Sequence, residues 1–207
     1  MNDYKTVVKN RFDELAPTYS SKAFSFIKNK RVKFIRKFVD KNDKILEVGC
    51  GSGNLLRSIE CDNISGLDIS PGMVKEAKKT CPKGEFVVGD AEKLPFNNNS
   101  FDKVIISEVL YYLPNLDKAI HEAFRVLKPN GVLLITSLNK KYNFVRIIVN
   151  LFKLGVNDKV SRSYISLKKL KNILEKDFKI EEVASIPIKI IPTNYSLIFF
   201  IASRKPF

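Results

Sequence analysis

Residues 45–56 read Ile-Leu-Glu-Val-Gly-Cys-Gly-Ser-Gly-Asn-Leu-Leu. An apolar run that ends at an acid and then passes through three alternating glycines is the signature of a buried strand turning sharply. Gly49, Gly51 and Gly53 let the backbone take positive φ and let another group approach where a Cβ would clash. The pattern predicts a strand at 44–49, a tight turn and then a helix whose free N–H groups face the turn. Two acids fall at matching places further on: Asp68 at the end of the next predicted strand, 64–69, and Asp90 at the end of the one after, 84–89. Three acids at three successive strand ends point to a ligand site rather than to solvated strand termini.

The spacing separates ligand classes. A dinucleotide fingerprint runs G-x-G-x-x-G and sets pyrophosphate on the helix N-terminus. Here the glycines run G-x-G-x-G, Asn54 stands at the sixth position, and Glu47 before the turn would repel a pyrophosphate while attracting an ammonium or sulfonium. Further motifs follow in order: Gly66-Leu67-Asp68-Ile69-Ser70, then Gly89-Asp90-Ala91-Glu92-Lys93-Leu94-Pro95-Phe96, then 101–110 (FDKVIISEVL) and 125–135 (RVLKPNGVLLI). From about Lys44 to Ser137 the chain resembles the class I S-adenosylmethionine-dependent methyltransferases. The likeness is to the small-molecule group that includes the ubiquinone and menaquinone biosynthesis C-methyltransferases.

That resemblance implies an α/β fold: a doubly wound, mostly parallel seven-stranded sheet of order 3-2-1-4-5-7-6, the Rossmann-like methyltransferase fold. Periodicity supports the parallel core. Phe101–Ser107 and Val132–Ser137 are continuous apolar runs, as expected where both sheet faces are covered. Ser70-Pro71 predicts a helix start, and Lys128-Pro129-Asn130-Gly131 predicts a stop after a helix over Leu116–Leu127. Further helices are expected in the N-terminal stretch, over Lys28–Val39 and from Ser166. The 207 residues, 44% of them hydrophobic and 11% aromatic, suit a single domain. Its expected parts are an N-terminal helical cap (1–40), a cofactor-binding core (41–138), a substrate lid (139–165) and a last helix with two strands (166–207).

The resemblance also implies S-adenosylmethionine as cofactor and assigns its contacts. Gly49 and Gly51 bring backbone against the methionine part, whose ammonium Glu47 and the Ser107 carbonyl attract, and Gly53 belongs to the same cofactor-binding turn. Asp68 takes the ribose hydroxyls, Ile69 faces the adenine, Asp90 suits its exocyclic amine and Ala91 its ring nitrogen. Phe12-Asp13-Glu14-Leu15-Ala16-Pro17-Thr18-Tyr19 is similar to a segment whose tyrosine helps close the pocket, so Tyr19 inherits that role. The candidate catalytic residues follow the fourth strand: Glu108, Tyr111 and Tyr112. Relatives often carry histidine at the two tyrosine positions, and here an aromatic, hydrogen-bonding wall replaces it. The only histidine, His121, is expected to face outward from its helix.

Methyl transfer needs little from a protein beyond in-line positioning and exclusion of water. The absence of a nucleophile–histidine–acid set is therefore consistent with an enzyme. Cys50, Cys61 and Cys81 lack metal-ligand or disulfide spacing, so no metal is expected. No signal peptide and no apolar run long enough to span a bilayer is visible, which predicts a cytoplasmic protein.

The net charge of +14 is uneven. Residues 1–40 carry ten basic against four acidic side chains, 41–138 twelve against thirteen, and 139–207 fourteen against five. The excess lies in the flanks, and the stretch Tyr142–Val156 is apolar but for a narrow stripe of Asn143, Arg146, Asn150 and Lys153. Together they predict a small-molecule or lipid-like acceptor and an anionic membrane surface, with the protein peripheral at the inner face. Two alternatives stay open: an RNA (tRNA) methyltransferase using the basic flanks, and a catalytically silent cofactor-binding regulatory protein. No RNA-binding signature accompanies the charge, so nucleic acid ranks second.

Overall fold

Alternating apolar residues decide how the sheet is buried. In successive strands one member of each pair, Leu46, Ile106, Leu133 and Phe199, joins a core on one face, and its neighbour, Ile45, Ile105, Leu134 and Phe200, joins a core on the other. This is the period of two expected of strands covered on both sides. The computed structural model describes residues 3–22, 25–139, 164–187 and 196–207. Most of the expected lid, 140–163, lies outside the described residues, and with it the apolar stretch Tyr142–Val156.

The chain opens with α1 (Asp3–Leu15), a 3-10 segment (Ala16–Lys22) and α2 (Ser25–Arg36). There follow β1 (Lys44–Val48), β2 (Asn63–Asp68), α3 (Pro71–Thr80), β3 (Glu85–Val88), β4 (Phe101–Ser107), α4 (Leu116–Val126) and β5 (Leu127–Leu138). The last elements are α5 (Leu167–Leu174), β6 (Lys179–Pro187) and β7 (Ser196–Arg204). The seven strands form one sheet in the order β3-β2-β1-β4-β5-β7-β6. Pairing is parallel from β3 through β5, and β7 inserts antiparallel between β5 and β6. Packing on one face comes from α4 and α5 through Ile120, Ala123, Leu170 and Leu174, and on the other from α2 and α3 through Phe34, Ile35, Val74 and Ala77. Strand order reverses between β1 and β4, and the crevice beyond their carboxyl ends is where open sheets of this kind bind ligands.

One local expectation is corrected, and a second, the stop after the helix over Leu116–Leu127, holds with a strand following at once. The glycine turn leads not into an α-helix but into a single 3-10 turn, Leu56–Ser58. There the Ser58 hydroxyl donates back to the Asn54 carbonyl, and Leu55, Leu56 and Ile59 are pulled into the core. The expected helix N-terminus is therefore absent as an anion-facing donor set. At the other end, α4 stops at Val126 and the chain enters β5 at once, so 128–131 lies in a strand. Leu127 already pairs with Phe101, and a register irregularity absorbs the turn, with Asn130 at φ +63°.

Candidate functional site

The turn after β1 is built as its glycines require. Gly49, Gly51 and Gly53 sit at φ +73°, +52° and +76°. A Cβ on Gly49 would lie 2.2 Å from Val109 Cγ2, so this backbone abuts the end of β4. Gly51 instead faces the Tyr19 ring, whose Cε1 would be 3.5 Å from an added Cβ. The segment resembling the family's N-terminal motif thus returns over the glycine turn.

Three acids meet here. Glu47, on β1, is 3% exposed, and its Oε2 is buried without a hydrogen-bond partner among the described residues. Burial pushes its pKa well above the usual carboxylate value, opposed by the Arg31 guanidinium and reinforced by Asp68. At the end of β2, Asp68 accepts from the Gly51 N–H at 2.8 Å and the Ser70 N–H at 2.9 Å, one on each oxygen. Burial raises its pKa too, against those two hydrogen bonds. Each carboxylate oxygen retains a lone pair, so two hydroxyls can still be accepted.

Glu108, directly after β4, is a non-glycine residue at φ +59°. That conformation costs on the order of 1 kcal/mol, and the Glu108 N–H holds it by donating to the Thr136 carbonyl at 2.9 Å. Its carboxylate accepts from the Tyr111 hydroxyl (3.2 Å) and the Thr136 hydroxyl (3.3 Å) and lies 3.4 Å from Arg31 Nη2. Ser107 Oγ and Thr136 Oγ1 are 2.9 Å apart, which brings Ser107 into the same network. Burial raises the Glu108 pKa, while Arg31, Tyr111 and Thr136 counter it.

Aromatic rings wall this crevice. Phe12 meets Tyr112 edge-on at 5.1 Å and Tyr19 at 6.2 Å, and Tyr111 contacts Tyr112 at 4.6 Å and Tyr164 at 5.0 Å. The Tyr19 hydroxyl lies among Asp68, Arg31, Glu108 and Glu47; burial, then Asp68, raises its pKa.

The adenine end differs in one respect from the expectation. Asp90 already accepts from Lys5 Nζ at 2.7 Å and from the Glu92 N–H at 2.9 Å. Lys5 also reaches Glu92 at 2.7 Å, tying α1 across the end of β3. An adenine amine at Asp90 would share or displace Lys5. Ile69 is half-buried, and Ala91 packs against the core. His121 is exposed on α4 and lines a surface depression with Glu92.

Four contributors escaped the sequence reading. Arg31, from α2, links Glu47 and Glu108 electrostatically. Thr136 reaches Glu108 from β5. Lys5 covers Asp90. Asp13 accepts from the Ser70 hydroxyl (2.6 Å) and the Gly72 N–H (2.9 Å), capping α3 from α1. Of these, only Asp13 had a visible signal, its place beside Phe12 in the N-terminal motif.

The residues fit an S-adenosylmethionine-shaped ligand: a buried acid with one unpartnered oxygen beside a positive-φ glycine turn, then a second acid with hydroxyl-accepting capacity. Among the described residues no cluster of three or more His, Cys, Asp or Glu could hold a metal, and no helix is long and apolar enough to cross a membrane.

The sheet order and the order of the motifs are like those of class I S-adenosylmethionine-dependent methyltransferases. Residues 46–135 match the methyltransferase domain family, which supports a methyltransferase of that class. An uncharacterised protein of Methanocaldococcus jannaschii is 36% identical over 177 residues, 83% of this chain and 63% of that protein. The demethylmenaquinone methyltransferase of Chlorobaculum tepidum is 34% identical over 143 residues, 63% of this chain and 59% of that enzyme. A methyltransferase solved in complex with the Haloferax volcanii Trm112 methyltransferase activator superposes with a TM-score of 0.76 at 21% identity, covering 95% of this chain and 98% of that one. This last likeness concerns the fold. The chain spans less than two thirds of the length of the curated relatives described here.

Proposed function

We propose that the chain transfers a methyl group from S-adenosylmethionine to a small, ring-bearing or lipid-like acceptor. The observation that carries this is Glu47, a buried acid with an unpartnered oxygen at the mouth of a positive-φ glycine turn. An unpaired buried carboxylate is costly, and a ligand ammonium is the group that relieves it. In this reading Glu47 and the Ser107 carbonyl hold that ammonium, and Gly49, Gly51 and Gly53 admit the ligand backbone-close. Arg31, whose buried Nε also lacks a partner among the described residues, sits where it can meet a carboxylate. Asp68 takes the ribose hydroxyls, with Ile69, Asp90 and Ala91 around the adenine and Tyr19 closing over the turn.

The bound cofactor supplies an electrophilic methyl on a sulfonium. The protein holds the acceptor in line, keeps water out with Phe12, Tyr111, Tyr112 and Tyr164, and offers Glu108 to the acceptor's proton. Those ring faces favour a planar acceptor, in keeping with the demethylmenaquinone for which the Chlorobaculum relative is named. The basic flanks fit an acceptor presented at an anionic surface, and 1–40, 41–138, 139–165 and 166–207 serve as cap, core, lid and sheet closure.

Thermal stabilisation by S-adenosylmethionine or S-adenosylhomocysteine but not by NAD is expected, and Asp68→Ala should weaken binding by about 1–3 kcal/mol. Stabilisation by NAD alone would refute the cofactor assignment. Methyl-labelled cofactor incubated with a cell extract, then fractionated, should place label in the lipid or small-molecule fraction. Label in RNA would replace the acceptor class, and cofactor binding without any labelled product would favour a regulatory protein.

A further inference from the structure

We propose that Arg31 is a positioning residue for Glu108: it keeps that carboxylate ionised and aimed into the crevice, where Glu108 takes the proton the methyl acceptor gives up. The proposal rests on the methyl-transfer reading and adds to it the fate of the proton and the residue that controls it.

Geometry makes the case. Arg31 and Glu108 side chains are 21% and 18% exposed, and Nη2 stands 3.4 Å from Oε1. Two further Glu108 partners, Tyr111 on Oε2 and Thr136 on Oε1, are hydroxyls at 3.2 and 3.3 Å, and the Leu138 backbone is a third. The hydroxyl contacts are long for O–H···O bonds to a carboxylate, and they leave lone pairs open toward the ring wall. The Ser107–Thr136 contact at 2.9 Å lets Ser107 donate to Thr136, which frees the Thr136 proton for Glu108. The left-handed backbone at Glu108 is spent where residues persist in that state only if their surroundings hold them, commonly at functional positions.

The charges around Glu108 come from several elements. Arg31 approaches from α2, Tyr19 from the 3-10 segment and Tyr111 from the turn after β4; Thr136 and the Leu138 backbone lie on β5, with Glu47 across Arg31 on β1. Arg31 is the one cation among these groups. Without it, burial drives Glu108 toward its protonated form, which has no place for another proton. With it, the step balances. The acceptor atom bonds the methyl carbon as that carbon's bond to sulfur breaks, the electron pair staying on sulfur. The acceptor's proton passes to Glu108 Oε2. Sulfonium and carboxylate become neutral together, so the buried crevice gains no charge. The arrangement suits an acceptor that arrives with its proton on a weakly acidic hydroxyl.

The test is a side-chain carboxyl titration followed by NMR on the full chain labelled with [5-13C]glutamate, the Glu108 signal being the one lost in Glu108→Gln. Arg31→Gln should move the Glu108 midpoint up by about one pH unit or more, and Arg31→Lys should recover most of that shift while exposed glutamates stay put. An unchanged Glu108 midpoint in Arg31→Gln, or in Arg31→Lys a rise as large as that in Arg31→Gln, overturns the proposal. Should Arg31→Gln not fold, Arg31→Met keeps the apolar stem and tests the same point. With a naphthohydroquinone as acceptor, the acid limb of the kcat profile should follow the titrated midpoint in each variant; a limb that ignores it removes Glu108 as proton acceptor. Calorimetric binding of S-adenosylhomocysteine to the same samples tests the methyl-transfer reading separately. Loss of that reading leaves the titration result standing.

Discussion

Gly49→Ala offers the sharpest test of how the site is built. The added Cβ meets two penalties. At φ +73° an L-residue in the left-handed region costs roughly 1–2 kcal/mol. The Cβ also lands 2.2 Å from Val109 Cγ2 and 3.2 Å from Cγ1, where carbon atoms settle at about 3.5–4.0 Å. An overlap of that size cannot be absorbed by a small shift. Val109 must change rotamer or push the end of β4 away, and overpacking of this kind costs typically about 1–3 kcal/mol. The total expected in urea denaturation is about 2–5 kcal/mol. Val109→Ala removes both Cγ atoms and leaves Cβ at 3.3 Å, which can give by a few tenths of an ångström. In that background Gly49→Ala should cost only the backbone part, about 1–2 kcal/mol. Gly51→Ala is the internal control: its Cβ would touch only Tyr19 at 3.5 Å, so it too should show the backbone part alone. A double-mutant cycle measures the coupling directly. If Gly49→Ala costs less than Gly51→Ala, or costs the same with and without the Val109 methyls, the close approach of the two strand ends is not what demands glycine.

The other expectations concern charge, capping and the wall. Glu47 has a folded-state pKa raised by burial, so its contribution to stability is full below its unfolded value and is lost as pH rises through the folded one. Melting temperatures without ligand should therefore fall more steeply with rising pH in the wild type than in Glu47→Gln, and the same variant should bind S-adenosylhomocysteine more weakly; parallel pH curves would dismiss the buried charge. Asp13 is opposite in sign: burial raises its pKa, but hydrogen bonds from Ser70, Gly72 and Lys9 outweigh that and lower it, so its contribution is lost as pH falls through the folded value. Asp13→Ala should cost about 1–2 kcal/mol at neutral pH by uncapping α3, with a smaller loss in acid, and an effect that grows toward low pH would contradict the cap. Tyr111→Phe should lower turnover while cofactor affinity, read by calorimetry, stays nearly unchanged; wild-type turnover would show that its hydroxyl on Glu108 is not needed in the transition state.

Local chemistry explains what was legible in the residues alone. Glycines at alternate positions permit a positive-φ turn, and the structure has all three there. Continuous apolar runs at 101–107 and 132–137 demand a sheet covered on both faces, and Ser70-Pro71 demands a helix start, capped as Ser70 Oγ accepts from the Met73 N–H. Elsewhere local signals settled only part of the structure. The helix expected after the glycine turn is one 3-10 turn, Leu56–Ser58, although Leu55, Leu56 and Ile59 are buried at helical spacing. Lys128-Pro129-Asn130-Gly131 stops α4 as expected, but the chain goes straight into β5, and Asn130 and Gly131 hydrogen-bond to Lys205 beyond β7.

The order of the strands came from family resemblance rather than from periodicity, and everything that depends on that order needed the tertiary structure. Placing β1 beside β4 sets Glu47 near Glu108; covering that edge with α2 delivers Arg31 between them, and α1 carries Lys5 to Asp90 and Asp13 to α3. No spacing rule links residues so far apart along the chain, because what joins them is burial. A lone arginine on an amphipathic helix reads as surface until the fold shows which acids it must neutralise. The sequence thus determined which groups could bind and react. The packing of helices onto a sheet of one particular order decided which of them meet, because only there are their charges removed from water and made to depend on each other.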